Sequence, residues 1–283
     1  MNNYVNNKDW FWRRVIEGRL IDIPTGDRWV TERINYRALT RQLSTNFKTA
    51  DMLSIDNYER LPHYLRRLDC GVIRLGIQKN TAEFVLCKPA KGAHDLYLFD
   101  DMIFATCNNI GIMDNVVVRL LQRIDRLDEG SGLNIFSHIF PFKVIFNTDT
   151  YRILSFPYKT NPRFKFLIED GLGPVEFING QVEVDSNVLL ITEDNKYRVV
   201  VIEAKFSSNN SIAKHKLLYP TMVATKLFPD AEVIPAYLHI VDKRDKVSFN
   251  FCTVKMDYRD NMPILTSITA NYTYSIEIRR DNK

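Results

Sequence analysis

The sequence predicts an α/β fold with a central mixed β-sheet flanked by helices, preceded by an N-terminal α+β region. Residues 181–205 hold two runs rich in β-branched residues around the polar cluster Glu193-Asp194-Asn195-Lys196, which is typical of a β-hairpin. A helical segment from about Ile212 to Leu227 then leads into the apolar, strand-like run Ala231–Ile240. A helical crossover of this kind predicts a parallel neighbour for the second hairpin strand.

Further strand-like runs complete the predicted sheet, and a polar segment divides the chain. The later strands are expected at Val247–Val254 and Tyr272–Ile278. The segment Asp128-Glu129-Gly130-Ser131-Gly132 indicates the end of a helix that begins near Asp114, and it is the best candidate for a boundary. We therefore expect an N-terminal α+β region over residues 1–132 and a second domain over residues 133–283.

Composition sets limits on the class of protein. The chain has 283 residues, 45% of them hydrophobic and 25% charged, with a net charge of +4, as expected of a globular protein with a sizeable core. That charge permits a nucleic-acid partner without requiring one. The four cysteines form no C-x-x-C pair, so a zinc site is not expected. With neither a signal peptide nor a long apolar run in evidence, we expect a cytoplasmic protein.

Charged side chains gather at one end of the predicted hairpin. A tip at Asp194 and Asn195 would place Asp185 opposite position 204, between Glu203 and Lys205. Because side chains alternate between the faces of a strand, Glu183 and Asp185 would share a face with Glu203 and Lys205. The alternative is a solvated hairpin face on which these charges only pair with one another, an arrangement that contributes little to stability.

This group of charges suits metal-assisted hydrolysis of a phosphodiester. Magnesium prefers oxygen ligands and keeps several waters, and manganese would be its expected substitute. Asp185, Glu203 and the carbonyl of Ala204 could hold the ion. Lys205 could orient the attacking water or stabilise the negative charge that develops on the phosphate.

The same residues resemble a known signature. Asp185 followed by Glu203-Ala204-Lys205 is similar to the D…(D/E)-x-K pattern of the PD-(D/E)XK nuclease superfamily, and most like its type II restriction endonucleases. The resemblance implies a restriction-endonuclease-like core, metal ligands at Asp185 and Glu203, a catalytic lysine at Lys205, double-stranded DNA as substrate and a homodimer. Val184 stands where the family name has proline. Glu183 has no fixed counterpart, and we expect it to serve a second metal or the outer shell.

Basic side chains suggest DNA contacts in two places. A predicted helix over Thr31–Phe47 would place three arginines on one ridge, Arg33, Arg37 and Arg41, where a phosphate-contacting face and a solvated face are both open. On the helix after the E-x-K motif, the candidate contacts are Lys214, His215, Lys216 and Tyr219. Some branches of the superfamily carry Gln-x-x-x-Tyr on this helix, and Tyr219 fits that pattern with His215 in the glutamine position.

Two other functions stay open at this point. A repair, recombination or mobile-element nuclease would use the same site but read DNA structure. A non-catalytic nucleic-acid-binding protein would keep the nuclease-like fold without activity. Nothing in the sequence identifies a recognition sequence, because no base-reading motif is present.

Overall fold

Two β-sheets organise the structure, a computed structural model that describes residues 2–110, 115–124, 126–148, 150–154, 162–192, 196–206 and 210–279. The first part of the chain contains short helices and the strands of a hairpin. In chain order its elements are α1 (Asn2–Glu17), β1 (Trp29–Val30), β2 (Ile34–Asn35), α2 (Tyr36–Gln42), α3 (Thr49–Leu53), α4 (His63–Arg67), β3 (Gly71–Gln78), β4 (Thr81–Lys88), β5 (Tyr97–Phe99), α5 (Asp100–Ile103) and β6 (Asn108–Asn109).

Among the described residues, the second part of the chain contains three helices, a series of strands and one crossover helix. Its elements are α6 (Asn115–Arg123), α7 (Glu129–Ile139), α8 (Phe142–Ile145), β7 (Thr150–Leu154), β8 (Arg163–Phe166), β9 (Val175–Ile178), β10 (Ser186–Ile191), β11 (Tyr197–Phe206), β12 (Ser211–Ala213), α9 (His215–Leu227), β13 (Ala231–Asp242), β14 (Lys246–Lys255), β15 (Tyr258–Arg259), β16 (Met262–Pro263) and β17 (Thr269–Arg279).

The larger sheet is mixed, with strand order β6-β17-β14-β13-β11-β10-β7. Strand β11 pairs antiparallel with β10 and parallel with β13, and α9 provides the crossover between β11 and β13. The predicted hairpin, crossover helix and parallel neighbour are therefore confirmed. The α/β class with a mixed sheet flanked by helices is also confirmed.

Alternation along the strands gives the larger sheet two apolar faces. On one face, Val199 and Val201 of β11 belong to a core that includes Leu218 and Val223 of α9. On the other face, Ile202 belongs to a second core that contains side chains of α6, α7 and α8. Strand β11 is thus covered on both sides, as a central strand of an α/β sheet should be.

The smaller sheet joins the two halves of the sequence. Its order is β1-β4-β3-β9-β8, with β2 also paired to β4. Strands β8 and β9 come from the second half of the chain and reach β3 through the pair Gly76 and Ile178. The predicted domain boundary at residue 132 lies inside α7. The division of the chain into two domains stays a prediction.

Three local predictions were wrong. Asp128 does not end a helix: its side chain accepts a hydrogen bond from the Ser131 N–H at 2.6 Å and caps the start of α7. No single helix covers residues 31–47, because β2 precedes α2 and Asn35 is the N-cap. Residues 181–184 lie outside the strands, since β10 begins only at Ser186.

The hairpin register also differs from the prediction by one residue. Ser186 pairs with Ile202 and Ile191 pairs with Tyr197. These pairs are symmetric about position 194, whereas the predicted pairs were symmetric about the midpoint between positions 194 and 195. Residues 193–195 themselves, like the predicted helix start at Asp114, lie outside the described residues. Within the described part of the chain, no helix is both long and apolar enough to cross a membrane.

Candidate functional site

The predicted site lies at the C-terminal end of β11, beside the start of β10. Continuing the observed register by one residue brings Asp185 opposite Glu203, where an antiparallel pair places both side chains on the same face. The carboxylate of Asp185 accepts a hydrogen bond from the backbone N–H of Ala204 at 2.7 Å. The first acid of the predicted signature is therefore fixed directly to the E-x-K segment.

Glu203 and Lys205 form a buried ion pair on β11. The Lys205 ammonium lies 2.9 Å from Glu203 Oε1, and the two side chains are 14% and 4% exposed. The same ammonium donates to the carbonyl oxygen of Ala204 at 2.7 Å. Lys205 thus contacts two of the three groups predicted to hold a metal ion. A cation entering there would have to displace the ammonium from those oxygens.

Burial and neighbouring charges shift the protonation of this pair. Burial raises the pKa of Glu203 to about 7, against the lowering effect of Lys205. Burial lowers the pKa of Lys205, but the charges of Glu203 and Asp185 outweigh it and hold that pKa above its usual value. Lys205 is therefore a charged donor at neutral pH, and Glu203 is close to its titration midpoint.

A second lysine approaches the site from the crossover helix. The Lys216 ammonium on α9 lies 3.8 Å from Glu203 Oε1 and 3.9 Å from Asp56 Oδ1. Lys216 was predicted as a DNA contact on account of its charge. The structure brings it to the acid of the E-x-K motif, with a side chain that is 28% exposed, so it can face both the site and the solvent.

Glu129 is a further acid whose charge interacts with those of Lys205 and Asp185, and it was not predicted from the sequence. It occupies the first turn of α7, and burial raises its pKa while the charges of Lys205 and Asp185 act on it. An acid directly after the capping residue Asp128 is typical of the first turn of a helix, where the helix dipole favours negative charge. Because residues 128–132 were predicted to end a helix, Glu129 was not recognised as part of a first turn.

A second missed feature is a buried pair between a histidine of the neighbouring strand β13 and an aspartate of α5. His239 of β13 is aligned with Lys205 of β11, and its Nδ1 lies 3.0 Å from Asp100 Oδ2. Both side chains are buried. His239 can be recognised as a neighbour of Lys205 only from the parallel register, because no local sequence motif marks it.

Glu183 is hydrogen-bonded away from the E-x-K segment. Its residue is exposed and precedes β10, and its Oε1 accepts a hydrogen bond from Gln181 Nε2 at 2.7 Å. It lines a cavity together with Asp56 and Lys216. A role as a second metal ligand or outer-shell group stays a prediction.

The oxygen atoms of Asp185, Glu203 and Ala204 can be compared with the ligands that magnesium prefers. In the part of the chain that the structure describes, no three histidine, cysteine, aspartate or glutamate side chains lie close enough together to hold a metal. Magnesium does not need three, because it is usually held by one or two carboxylates with waters and substrate phosphates. Asp185 and Glu203 supply two carboxylates and Ala204 a carbonyl, so the oxygen donors fit this ion.

The three arginines predicted as one DNA-contacting ridge have different surroundings. Arg33 precedes α2; it pairs with Glu83 Oε2 at 2.6 Å and donates to the backbone carbonyl of Glu176. Arg37 and Arg41 are exposed on α2. Arg33 therefore belongs to a partly buried internal network, and only Arg37 and Arg41 present guanidinium groups to solvent in the predicted manner.

Most of the predicted contacts at the start of α9 are buried. Lys214 donates to the carbonyl of Thr266 at 2.7 Å, and Tyr219 donates to the carbonyl of Arg74 at 2.6 Å. His215 is also buried, and burial lowers its pKa to about 4, so it is neutral at pH 7 and offers no positive charge to DNA. Of the four predicted residues, three line a cavity, and Lys216 is the charged one among them, beside the buried His215 and Tyr219.

A cavity of ≈ 300 Å³ adjoins the site, and Lys216, the lysine that approaches Glu203, is one of its lining residues. Its wall includes the side chains of Arg74, Phe177 and Tyr219, and its rim includes Gln181 and Glu183. The ring of Tyr219 lies 4.5 Å from that of Phe177. Lys216 therefore belongs both to the lining of a mixed polar and aromatic cavity and to the surroundings of the buried acid of the E-x-K motif.

Comparison with known proteins finds one family. Residues 120–269 match the family described as Domain of unknown function (DUF6997). The matched segment contains Asp185, Glu203 and Lys205, and also Glu129 and Lys216. No curated protein and no solved structure matches the chain.

Proposed function

The chain belongs to the family described as Domain of unknown function (DUF6997), and we propose that it is a magnesium-dependent DNA endonuclease. The proposal extends to a restriction-endonuclease-like core and to an enzyme most like a type II restriction endonuclease. It would act as a homodimer on double-stranded DNA in the cytoplasm, with one site for each strand.

One observation supports the proposal most strongly. Asp185 is hydrogen-bonded to the backbone of Ala204, and Glu203 and Lys205 are paired in a buried position two residues apart. Burying such a pair carries a large desolvation cost, and a hairpin face that only needed solubility would leave these charges in water. The cost is better explained by chemistry at this end of β11.

The site residues would have separate roles. Asp185, Glu203 and the Ala204 carbonyl would hold the ion, which when bound polarises the scissile phosphate and acidifies a water. Displaced from Glu203, the Lys205 ammonium would orient the nucleophilic water or stabilise negative charge on the phosphate. Lys216, close to Glu203 Oε1, would contact the adjacent phosphate. Glu129 would add negative charge beside Lys205 and help to keep it protonated.

The direct test is cleavage of plasmid and phage DNA with magnesium or manganese. Discrete fragments that disappear on chelation of the metal would support a sequence-specific endonuclease. A wild-type protein that cleaves neither linear nor branched DNA with either metal would overturn the proposed activity.

A nuclease that reads DNA structure, in repair, recombination or a mobile element, is the second candidate function. The observation that favours it is the small cavity beside Glu203 and Lys216, because a duplex would not enter such a space. Cleavage of branched or flapped DNA but not of linear duplex would select this function over the restriction type.

A non-catalytic nucleic-acid-binding protein is the remaining alternative. It would bind DNA without metal-dependent cleavage, and calorimetry would detect no magnesium or manganese binding that depends on Asp185. Lys205 and both acids are present, whereas a binding protein would have no need to keep them together.

A further inference from the structure

We propose that the cavity beside Lys216 binds one unpaired nucleotide of the DNA strand that is cut. The inference rests on the proposed nuclease function in naming DNA as the source of the nucleotide. The cavity itself, the charges in it and its position relative to Glu203 are independent of that function.

Arg74 indicates that the cavity takes an anion. Its guanidinium donates to Ser54 Oγ at 3.0 Å, and among the described residues no carboxylate lies within ion-pair distance of it. A guanidinium carries five N–H donors in a planar fork. Because the residue lines the cavity and is only partly exposed, its remaining donors suit a phosphate entering from that side.

Acidic groups limit how much negative charge can enter. Asp56 and Glu183 also line the cavity, and their carboxylates would repel further phosphates. A single phosphate on Arg74 is therefore favoured over a triphosphate or a run of backbone. The same carboxylates accept hydrogen bonds, as would suit the exocyclic amino group of a base such as cytosine.

The remaining lining suits a base. Phe177 and Tyr219 line the cavity with the small part of each residue that is exposed, 3% and 7%, and Gln181 lines it as an exposed residue. Enzymes that extrude a base from DNA hold it by contacts with aromatic side chains and by hydrogen bonds to its edge. At ≈ 300 Å³ the cavity lies at the small end of ligand sites, which fits one nucleotide and excludes a duplex.

The cavity lies next to the proposed cutting site. The Lys216 ammonium lies 3.8 Å from Glu203 Oε1, and Lys216 also lines the cavity. A nucleotide bound there would have its neighbouring phosphate at the Lys216 ammonium, next to the cutting site. An unpaired nucleotide would therefore set the position of the cut next to it.

The test compares a duplex that carries one unpaired cytosine with the same duplex fully paired, in buffer containing a chelator so that no cutting occurs. Affinity is measured by fluorescence anisotropy for the wild type, Arg74→Gln and Arg13→Gln. Arg13 is the matched control, because it is exposed on α1 and pairs with Glu17. Free dCMP is tested as a competitor, to separate a free nucleotide from a nucleotide in DNA.

We expect the wild type and Arg13→Gln to prefer the unpaired site roughly tenfold, the size of one charge-assisted hydrogen bond. Arg74→Gln should lose that preference, and so should Gln181→Ala, an exposed position at which folding is not at risk. Equal affinity for both duplexes in the wild type would overturn the inference, and so would a preference that survives both cavity variants. Binding of dCMP without a preference for unpaired DNA would overturn it too.

Failure here is distinguishable from failure of the nuclease proposal. The binding test uses no metal and does not involve Lys205. Cutting that requires Lys205 alongside equal binding of the two duplexes would overturn the nucleotide cavity alone. Preferential binding without any metal-dependent cutting would overturn the nuclease activity alone.

Discussion

The ammonium of Lys205 lies 2.9 Å from the carboxylate of Glu203, in an ion pair whose acid is only 4% exposed. Close by in the sequence, His215 is buried at the start of the crossover helix. Burial shifts these two groups in opposite directions, with the pKa of Glu203 raised to about 7 and that of His215 lowered to about 4.

These shifts predict opposing contributions to stability between pH 4.5 and 6.5, the ordinary pKa values of the two side chains. Folded Glu203 keeps its proton after the unfolded chain has lost it, so its contribution to stability is lost as pH rises towards 7. Unfolded His215 takes up a proton before the folded protein does, so its contribution is lost as pH falls towards 4. In the wild type the two slopes should largely cancel.

A variant that lacks one of the two titrating groups should show the pH dependence of stability that is due to the other group. Glu203→Gln should gain stability as pH rises through this window, and His215→Gln should lose it, each by up to about 3 kcal/mol. Urea unfolding at several pH values measures the free energy. Parallel profiles for the wild type and both variants would contradict the assigned shifts.

Gly76 should be intolerant of a side chain. Its φ is +91°, and a Cβ there would lie 2.1 Å from the Ile178 carbonyl oxygen, at the pair that joins β3 to β9. We expect Gly76→Ala to lower the free energy of unfolding by about 1–3 kcal/mol. Gly130→Ala is the control, because its Cβ would meet only Asp128 Oδ1 at 3.7 Å. That helical variant should gain up to about 1 kcal/mol, and equal losses at both positions would refute the explanation.

Substitution of Arg33 should lower stability, whereas substitution of Arg37 should affect only DNA binding. Arg33→Ala would leave Glu83 without its partner at 2.6 Å, and we expect a loss of about 1–3 kcal/mol in stability. Arg37→Ala should change stability by less than about 0.5 kcal/mol. If α2 meets DNA, Arg37→Ala should lower the slope of log affinity against log salt by about 1. If the slope of log affinity against log salt is unchanged, α2 does not contact DNA.

The sheet could be predicted because its signal is local. Alternating and β-branched runs predicted the hairpin, and a helix between two apolar strands predicted the parallel pairing of β11 with β13. The register could not be obtained in this way, since it depends on the length of the connection. The observed pairing of Ser186 with Ile202, continued by one residue, sets Asp185 opposite Glu203, whereas the predicted register set it opposite Ala204 and so on the other face from Glu203.

The errors share a physical cause, which is packing between distant segments. Glycines 130 and 132 indicated a helix end, but Gly132 lies within α7, where a Cβ would meet the Ile240 side chain at 2.9 Å. The glycine permits close approach of helix and sheet instead of ending the helix. Burial of Lys214 and Tyr219 likewise follows from contacts with Thr266 and Arg74, residues far away in the sequence.

The central claim, a metal-dependent nuclease with Lys205 at its centre, is tested most directly by plasmid cleavage with magnesium. The wild type is compared with Lys205→Ala, Asp185→Asn and Lys255→Ala, the last a control lysine that is 69% exposed and lies 3.7 Å from Asp257. We expect the wild type and Lys255→Ala to cut at equal rates, and the two site variants to lose at least about 100-fold. Cleavage that persists in both site variants, or a loss as large in Lys255→Ala, would contradict the assignment.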